Sequence, residues 1–335
     1  MEAVEHSLKH YFIRNQIVAA LILVLAGWFI LQIKEILIMF FIAYILMAAL
    51  MPYVKIMHRN RIPKVLASGI VYVITLLLVV LLVVPIVPFF ISQMQSLFMN
   101  LPLFIDNFSK LIGFHFEASQ LQGYATSQLG SISASALTIT TQAFSIIFSL
   151  ILIFVLSFYL MIDQSRVRRE LISLFPKKQE EKIMSVMELI EDKLGAWFRG
   201  QITLCVFIGF LTWVVLTVIG IPFALPLAIL AGILEIIPTL GPILSAVPAV
   251  IVALSISPVT ALIVIIAYII IQMLENNLLV PKIMQKAVGL NPIVIILVIT
   301  IGAKLLGILG ALLAIPFVAM LIIIFKHVVK KEKVA

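Results

Sequence analysis

Charge is what this sequence most lacks. Asp, Glu, Lys and Arg make up 11% of its 335 residues, whereas 63% are hydrophobic, and the mean hydropathy is +1.25. A soluble domain carries about a quarter charged residues. A soluble domain of any size is therefore excluded, and the chain reads as an all-α, polytopic helical membrane protein. Cysteine is nearly absent: Cys205 stands alone inside an apolar run. That rules out an intramolecular disulfide and a cysteine-based metal site. His6, His10, His58, His115 and His327 are scattered over loops and tails, so no metal and no other cofactor is expected. Enzyme signatures are missing as well. There is no G-x-x-x-x-G-K-[ST] phosphate loop, no H-E-x-x-H and no G-x-S-x-G turn. The chain is not expected to be an enzyme or to draw on ATP within itself.

What the chain has instead is long apolar runs. Crossing a bilayer takes about 20 apolar residues, and candidate spans cover about 16–33, 35–52, 65–90, 143–162, 200–219 and 258–279. Lys9 and Arg14 precede the first run, but no small-residue cleavage site follows it, so it is read as a retained helix. The net charge of +8 is not a nucleic-acid footprint, because the basic residues gather in a few short loops. They lie in 1–15, 53–64 and 163–199, just after 279, and in the tail. Basic loops face the cytoplasm, which predicts a multi-pass protein of the inner (plasma) membrane with both termini cytoplasmic.

The organisation expected is a cytoplasmic N-terminus (1–15), three spans (16–90), extracytoplasmic amphipathic helices (91–142) and a span (143–162). A cytoplasmic amphipathic region (163–199), a transport core (200–326) and a tail (327–335) follow. In 163–199, Ile183, Val186, Met187, Ile190, Leu194 and Phe198 share one helical face with Glu and Lys opposite, as in an interfacial helix. The small residues of 119–142 would let helices approach closely, as a subunit contact needs.

Two apolar segments are broken. Residues 221–254 break at Pro238-Thr239-Leu240-Gly241-Pro242, and 291–325 break around Gly302-Ala303-Lys304 and Gly307. Each is too long for one crossing and short for two. Arms of about 16 and 13 residues in the first reach only ~20–24 Å, against a ~30 Å hydrocarbon core. The loop charges agree with two hairpins that each return to the side they entered from, the first of them re-entrant. Irregular backbone survives in lipid only where protein buries it or a wet cavity meets it, so paired broken segments point to a transporter's substrate path. Pro226 to Gly241 and Pro292 to Gly307 have the same spacing, and Pro248 and Pro316 follow them, in the manner of inverted repeats.

Several runs resemble the autoinducer-2 exporter family of bacterial permeases. They are Phe158-Tyr-Leu-Met-Ile-Asp163, Leu174-Phe-Pro176, Trp197-Phe-Arg-Gly-Gln201, Glu235-Ile-Ile-Pro-Thr-Leu-Gly-Pro242 and Glu275-Asn-Asn-Leu-Leu-Val-Pro-Lys282. Val288-Gly-Leu-Asn-Pro292, Gly307-Ile-Leu-Gly310 and Ala314-Ile-Pro316 complete the set. The resemblance implies a permease assembled as a homo-oligomer, with a pentamer among the forms expected. It does not imply one substrate: similar proteins are linked to autoinducer-2 export, others to exchange of sodium or lithium for protons.

Ionisable groups at membrane depth are costly and therefore candidates for function. Glu235 precedes the first break, and its carboxylate can hold a cation or a proton. Glu275, Asn276 and Asn277 end the 258–279 span, where Asn amides can coordinate a cation or bind a polyol. Lys304 lies at the tip of the second hairpin and can pair with a carboxylate or attract an anion. Pro238, Gly241, Pro242 and Gly302 free backbone groups that can replace a hydration shell. Gly307 and Gly310 allow close approach or sliding of helices.

The sequence thus predicts a secondary transporter exporting a small polar solute, with autoinducer-2 as one candidate, by alternating access. A monovalent cation/proton antiporter is the first alternative, and would make intramembrane carboxylates indispensable. A passive channel or a non-transporting membrane scaffold is the second. The partners expected are membrane lipid, a small-molecule or ion substrate, and further copies of the chain; no nucleic acid is expected.

Overall fold

The computed structural model describes residues 16–112, 136–238, 240–284 and 291–329, and every regular element among them is helical. In chain order come α1 (Gln16–Gln32), α2 (Lys34–Arg59), α3 (Lys64–Ile112), α4 (Ala136–Ile162), α5 (Gln164–Ser173) and α6 (Glu180–Ile219). Then follow α7 (Ala224–Leu234), α8 (Leu240–Leu254), α9 (Pro258–Leu274), a π-turn (Glu275–Leu279), α10 (Val280–Met284) and α11 (Pro292–Ile324). Among the described residues, five helices are long and apolar enough to cross a bilayer, or six if α4 and α5, bent by 75°, make one span. The protein is a multi-pass helical membrane protein. The segment 113–135, within the region expected to be extracytoplasmic, and both chain ends lie outside the described residues.

α2 is the centre of the bundle: Ile45 through Met51 are all buried. One of its faces packs on α3 and α4 around Tyr72 and Met161. The other packs on α6 around Leu194 and Trp197. The α2–α6 crossing is close because Gly195 lies against the Ala48 carbonyl, where a Cβ would overlap it. Pro52 cannot donate to that carbonyl, four residues back. Arg199 does so from α6, its Nη1 lying 3.4 Å from Ala48 O and 3.0 Å from Ala49 O.

The second part of the amphipathic region read from the sequence (163–199) runs on without a break into the span read at 200–219, as one 40-residue helix, α6. Gly195 and Gly200, the helix-breakers near the junction, are tolerated inside a packed helix. The apolar face read from the sequence is the buried one: Ile183, Val186, Ile190 and Leu194 all lie in the core.

Both broken segments form helical hairpins; the first break begins a few residues earlier than expected, and the second falls at Gly307, one of the two places expected for it. In the first, α7 stops at Leu234 and α8 starts at Leu240. Pro238 fixes the stop: it has no N–H for the Leu234 carbonyl, and its ring collides with a helical carbonyl at that position. Gly241 and Pro242 are not part of the break. They fall in the first turn of α8, where a missing N–H costs nothing. Gly241 instead packs on the backbone of Leu234 and Glu235. With 11 and 15 residues, the arms reach roughly 16 and 22 Å, short of a ~30 Å core.

In the second hairpin Gly302-Ala303-Lys304 stays helical, and the reversal is at Leu306 and Gly307. Gly307, at φ 63°, ψ −145°, occupies a region that essentially only glycine visits. Its arms, 292–305 and 308–324, turn back on each other so tightly that Gly302 and Gly310 touch backbone to backbone. Ile237 in the first break packs into the same apolar cluster as Ile299 and Ala311 of the second hairpin, around Leu194 and Trp197.

Candidate functional site

The first break places polar groups at depth. Glu235, directly after α7, is 1% exposed, and Glu275, at the start of the π-turn, is 3% exposed. They are 40 positions apart in sequence, yet their carboxyl groups lie within reach of each other. Neither Glu235 carboxyl oxygen has a hydrogen-bond donor among the described residues. Glu275 has one, Gln272 Nε2, at 3.1 Å. Gln201 of α6 steadies the break by donating from Nε2 to the Glu235 carbonyl at 2.7 Å. Its own amide oxygen is buried without a hydrogen-bond partner among the described residues. The Cys205 thiol, one turn further along α6, borders Gln201 and Glu235. α7 comes this close to α6 because Gly232 lies against Gly209 and the Cys205 carbonyl. Two carboxylates side by side in apolar surroundings cannot both stay charged without a counter-ion. Chemically, such a pair can share a proton or take up a cation.

The π-turn that carries Glu275 is itself a mark of functional helices. Asn276 and Asn277 stand in the same turn but face outward, exposed, and the Asn277 amide donates to the Met273 carbonyl at 2.8 Å. Lys304 is exposed on the arm just before the second reversal. Pro238 is half-buried within the first break.

A second constellation lies ten positions earlier on α6, about 15 Å away along its axis. Glu191, 5% exposed, accepts from Tyr44 Oη of α2 at 3.3 Å, from Gln164 Nε2 at 2.6 Å and from Arg168 Nε at 3.1 Å. Arg168 also reaches Glu188 at 2.8 Å. Burial works against the Arg168 charge, but the two carboxylates outweigh it and hold its pKa above the ordinary value. This network closes one end of a cavity of about 790 Å³ whose walls are otherwise almost wholly apolar. One wall is the second hairpin, with Gly302, Leu305, Leu306 and Gly310 around its reversal; Phe40 and Phe41 of α2 stand among the others.

Gln201 and Glu191 escaped the reading of the sequence, although a signal for both exists. Gln201 follows Leu194 and Trp197 at helical spacing, and Glu191 sits four positions after Met187 and three before Leu194. Each is a polar residue on an apolar face.

The description "AI-2E family transporter" matches residues 17–330. YrrI of Bacillus subtilis (strain 168) is 27% identical over 311 residues, covering 89% of this chain and 88% of that protein. YueF of the same organism is 28% identical over 310 residues, covering 87% and 84%. The AI-2 transport protein TqsA of Escherichia coli (strain K12) is 25% identical over 313 residues, covering 90% and 88%.

Proposed function

This chain belongs to the AI-2E transporter family, and on that footing we propose that it is an ion-coupled secondary transporter whose coupling centre is the Glu235–Glu275 pair. One observation carries the reading: two buried carboxyl groups within reach of each other, the oxygens of Glu235 without a hydrogen-bond donor among the described residues. Such a pair exchanges a proton for a cation, or releases it when substrate binds elsewhere. The sequence has no phosphate loop, so an ion gradient supplies the drive, and the chain performs no chemistry on its cargo. Access alternates by movement of a hairpin against the α2–α6 scaffold. The setting proposed is the inner membrane, with cytoplasmic termini and a homo-oligomer, a pentamer among the candidates.

The similarity to TqsA, an AI-2 transport protein, favours AI-2 as the cargo. The carboxyl pair favours sodium or lithium exchange for protons just as directly. Liposomes holding the purified protein and a pH-sensitive dye separate these readings under sodium, lithium or potassium gradients. Cation-driven proton movement lost in Glu235→Gln and Glu275→Gln supports antiport. Solute flux without proton movement, unchanged in both variants, refutes the coupling role.

A further inference from the structure

We propose that Gln201 determines which ion the Glu235–Glu275 centre accepts: its amide oxygen joins the carboxyl oxygens as a ligand for a small monovalent cation, sodium or lithium. The proposal deepens the coupling reading and rests on it for the word coupling; the ligand role stands on the geometry of α6 and the first break.

A structural role explains only half of the Gln201 amide. Its Nε2 donates to the Glu235 carbonyl at 2.7 Å. A carbonyl only accepts, so the amide cannot be turned round, and Oε1 is fixed at its other end. A brace for the break needs only the donor. Yet Oε1 belongs to a residue 2% exposed and has no hydrogen-bond partner among the described residues. The Cys205 thiol, which borders Gln201, is a weak donor. An idle buried acceptor is costly, and a brace gives no reason to keep one.

Glu235 repeats the pattern, with both carboxyl oxygens idle among the described residues. The idle acceptors thus sit on two residues that a hydrogen bond joins, and the Glu275 carboxyl lies within reach of Glu235. Acceptors and carboxylates together repel an anion and suit a cation. Packing leaves room for an ion rather than a molecule: a Cβ on Gly232 would overlap the Cys205 carbonyl, and one on Gly241 the Leu234 carbonyl. Ligand number points to a single charge. Calcium takes about six to eight oxygens, and magnesium keeps several waters. Glu235, Glu275 and Gln201, all buried, offer only two, two and one. A monovalent ion and one retained proton together neutralise the two carboxylates.

The test is binding of radioactive sodium to the purified full-length protein, read by scintillation proximity, with unlabelled sodium, lithium, potassium and magnesium as competitors. The wild type should bind sodium saturably, with lithium competing and magnesium not. Gln201→Met keeps the length of the side chain without the amide. It should bind sodium at least about tenfold more weakly, the scale on which metal sites lose affinity when a partner is removed. Gln201→Glu puts an oxygen back, and should bind within several-fold of the wild type with its lithium-to-sodium preference shifted. A brace alone predicts that both variants weaken sodium and lithium by one factor and leave the preference unmoved, and that result overturns the proposal. So does wild-type affinity in Gln201→Met, magnesium competing more strongly than sodium, or no binding of sodium or lithium by the wild type. If thermal unfolding shows that Gln201→Met does not fold, Gln201→Glu decides alone, and an unmoved preference there is the overturning result. The coupling reading fails separately. If Glu235→Gln and Glu275→Gln bind sodium as the wild type does while Gln201→Met does not, the carboxyl pair is refuted and the Gln201 ligand role stands.

Discussion

Gly302 and Gly310 touch backbone to backbone across the second hairpin, and a Cβ on either would overlap the other's carbonyl. Eight positions along a straight helix would separate them by about 12 Å. Their contact therefore records the reversal at Gly307. Either Gly302→Ala or Gly310→Ala should splay the arms and cost about 1–3 kcal/mol, the usual cost of overpacking. Thermal unfolding in detergent reads the loss. Gly69→Ala, where an added Cβ meets nothing within 4 Å, is the control and should leave the melting temperature unmoved or raise it slightly, since Ala favours the helix.

The Arg199 contact with α2 answers a vacancy that Pro52 creates. Arg199→Leu leaves the Ala48 carbonyl unpaired and should destabilise by about 1–3 kcal/mol. Pro52→Ala supplies the missing helical N–H. In the Pro52→Ala background, Arg199→Leu should therefore cost less, with a coupling of about 1 kcal/mol in a double-mutant cycle. Strict additivity would show that Arg199 does not serve that carbonyl.

Glu191 ties α2, α5 and α6 together from a buried position. Glu191→Ala takes the buried carboxylate from the Arg168 guanidinium, which keeps only the exposed Glu188, and should cost about 3–5 kcal/mol. Adding Arg168→Leu should recover part of the loss, because the underpaired charge goes with it. Denaturation of both variants checks this, and a double variant less stable than Glu191→Ala would contradict it.

Cys205 gives a native reporter of the coupling centre. Its half-buried thiol borders Gln201 and Glu235, so a small thiol-directed methanethiosulfonate should stop transport in the wild type and spare Cys205→Ser. Sodium or lithium, if held by the carboxyl pair, should slow the modification. Modification at full rate without loss of transport would place the path elsewhere.

Much of the fold was legible because lipid demands apolar runs of near-constant length, and the spans follow from that. The breaks were legible in kind, the second also in place at Gly307, while the first begins earlier than read. Proline acts on the carbonyl four residues back, so Pro238 ends α7 at Leu234 rather than at itself. Gly302 reads as a breaker from composition alone, but only Gly307 meets a backbone that requires glycine. Glu235 and Glu275 could each be singled out as ionisable groups at depth. Their meeting could not, since it depends on α9 running back beside the first hairpin. The cavity was illegible for a similar reason: its walls come from α2, α4, α5, α6 and α11, and no local spacing joins them.

The most direct test of the coupling centre is proton release at equilibrium. Purified protein in weakly buffered solution is titrated with lithium or sodium chloride, with choline chloride as the control, while pH is followed. The account predicts release of about one proton per chain, shared by the coupled pair, in the wild type, and none in Glu235→Gln or Glu275→Gln variants that still fold. Release that persists undiminished in both variants, or no release from the wild type with any of the cations it transports, would contradict it.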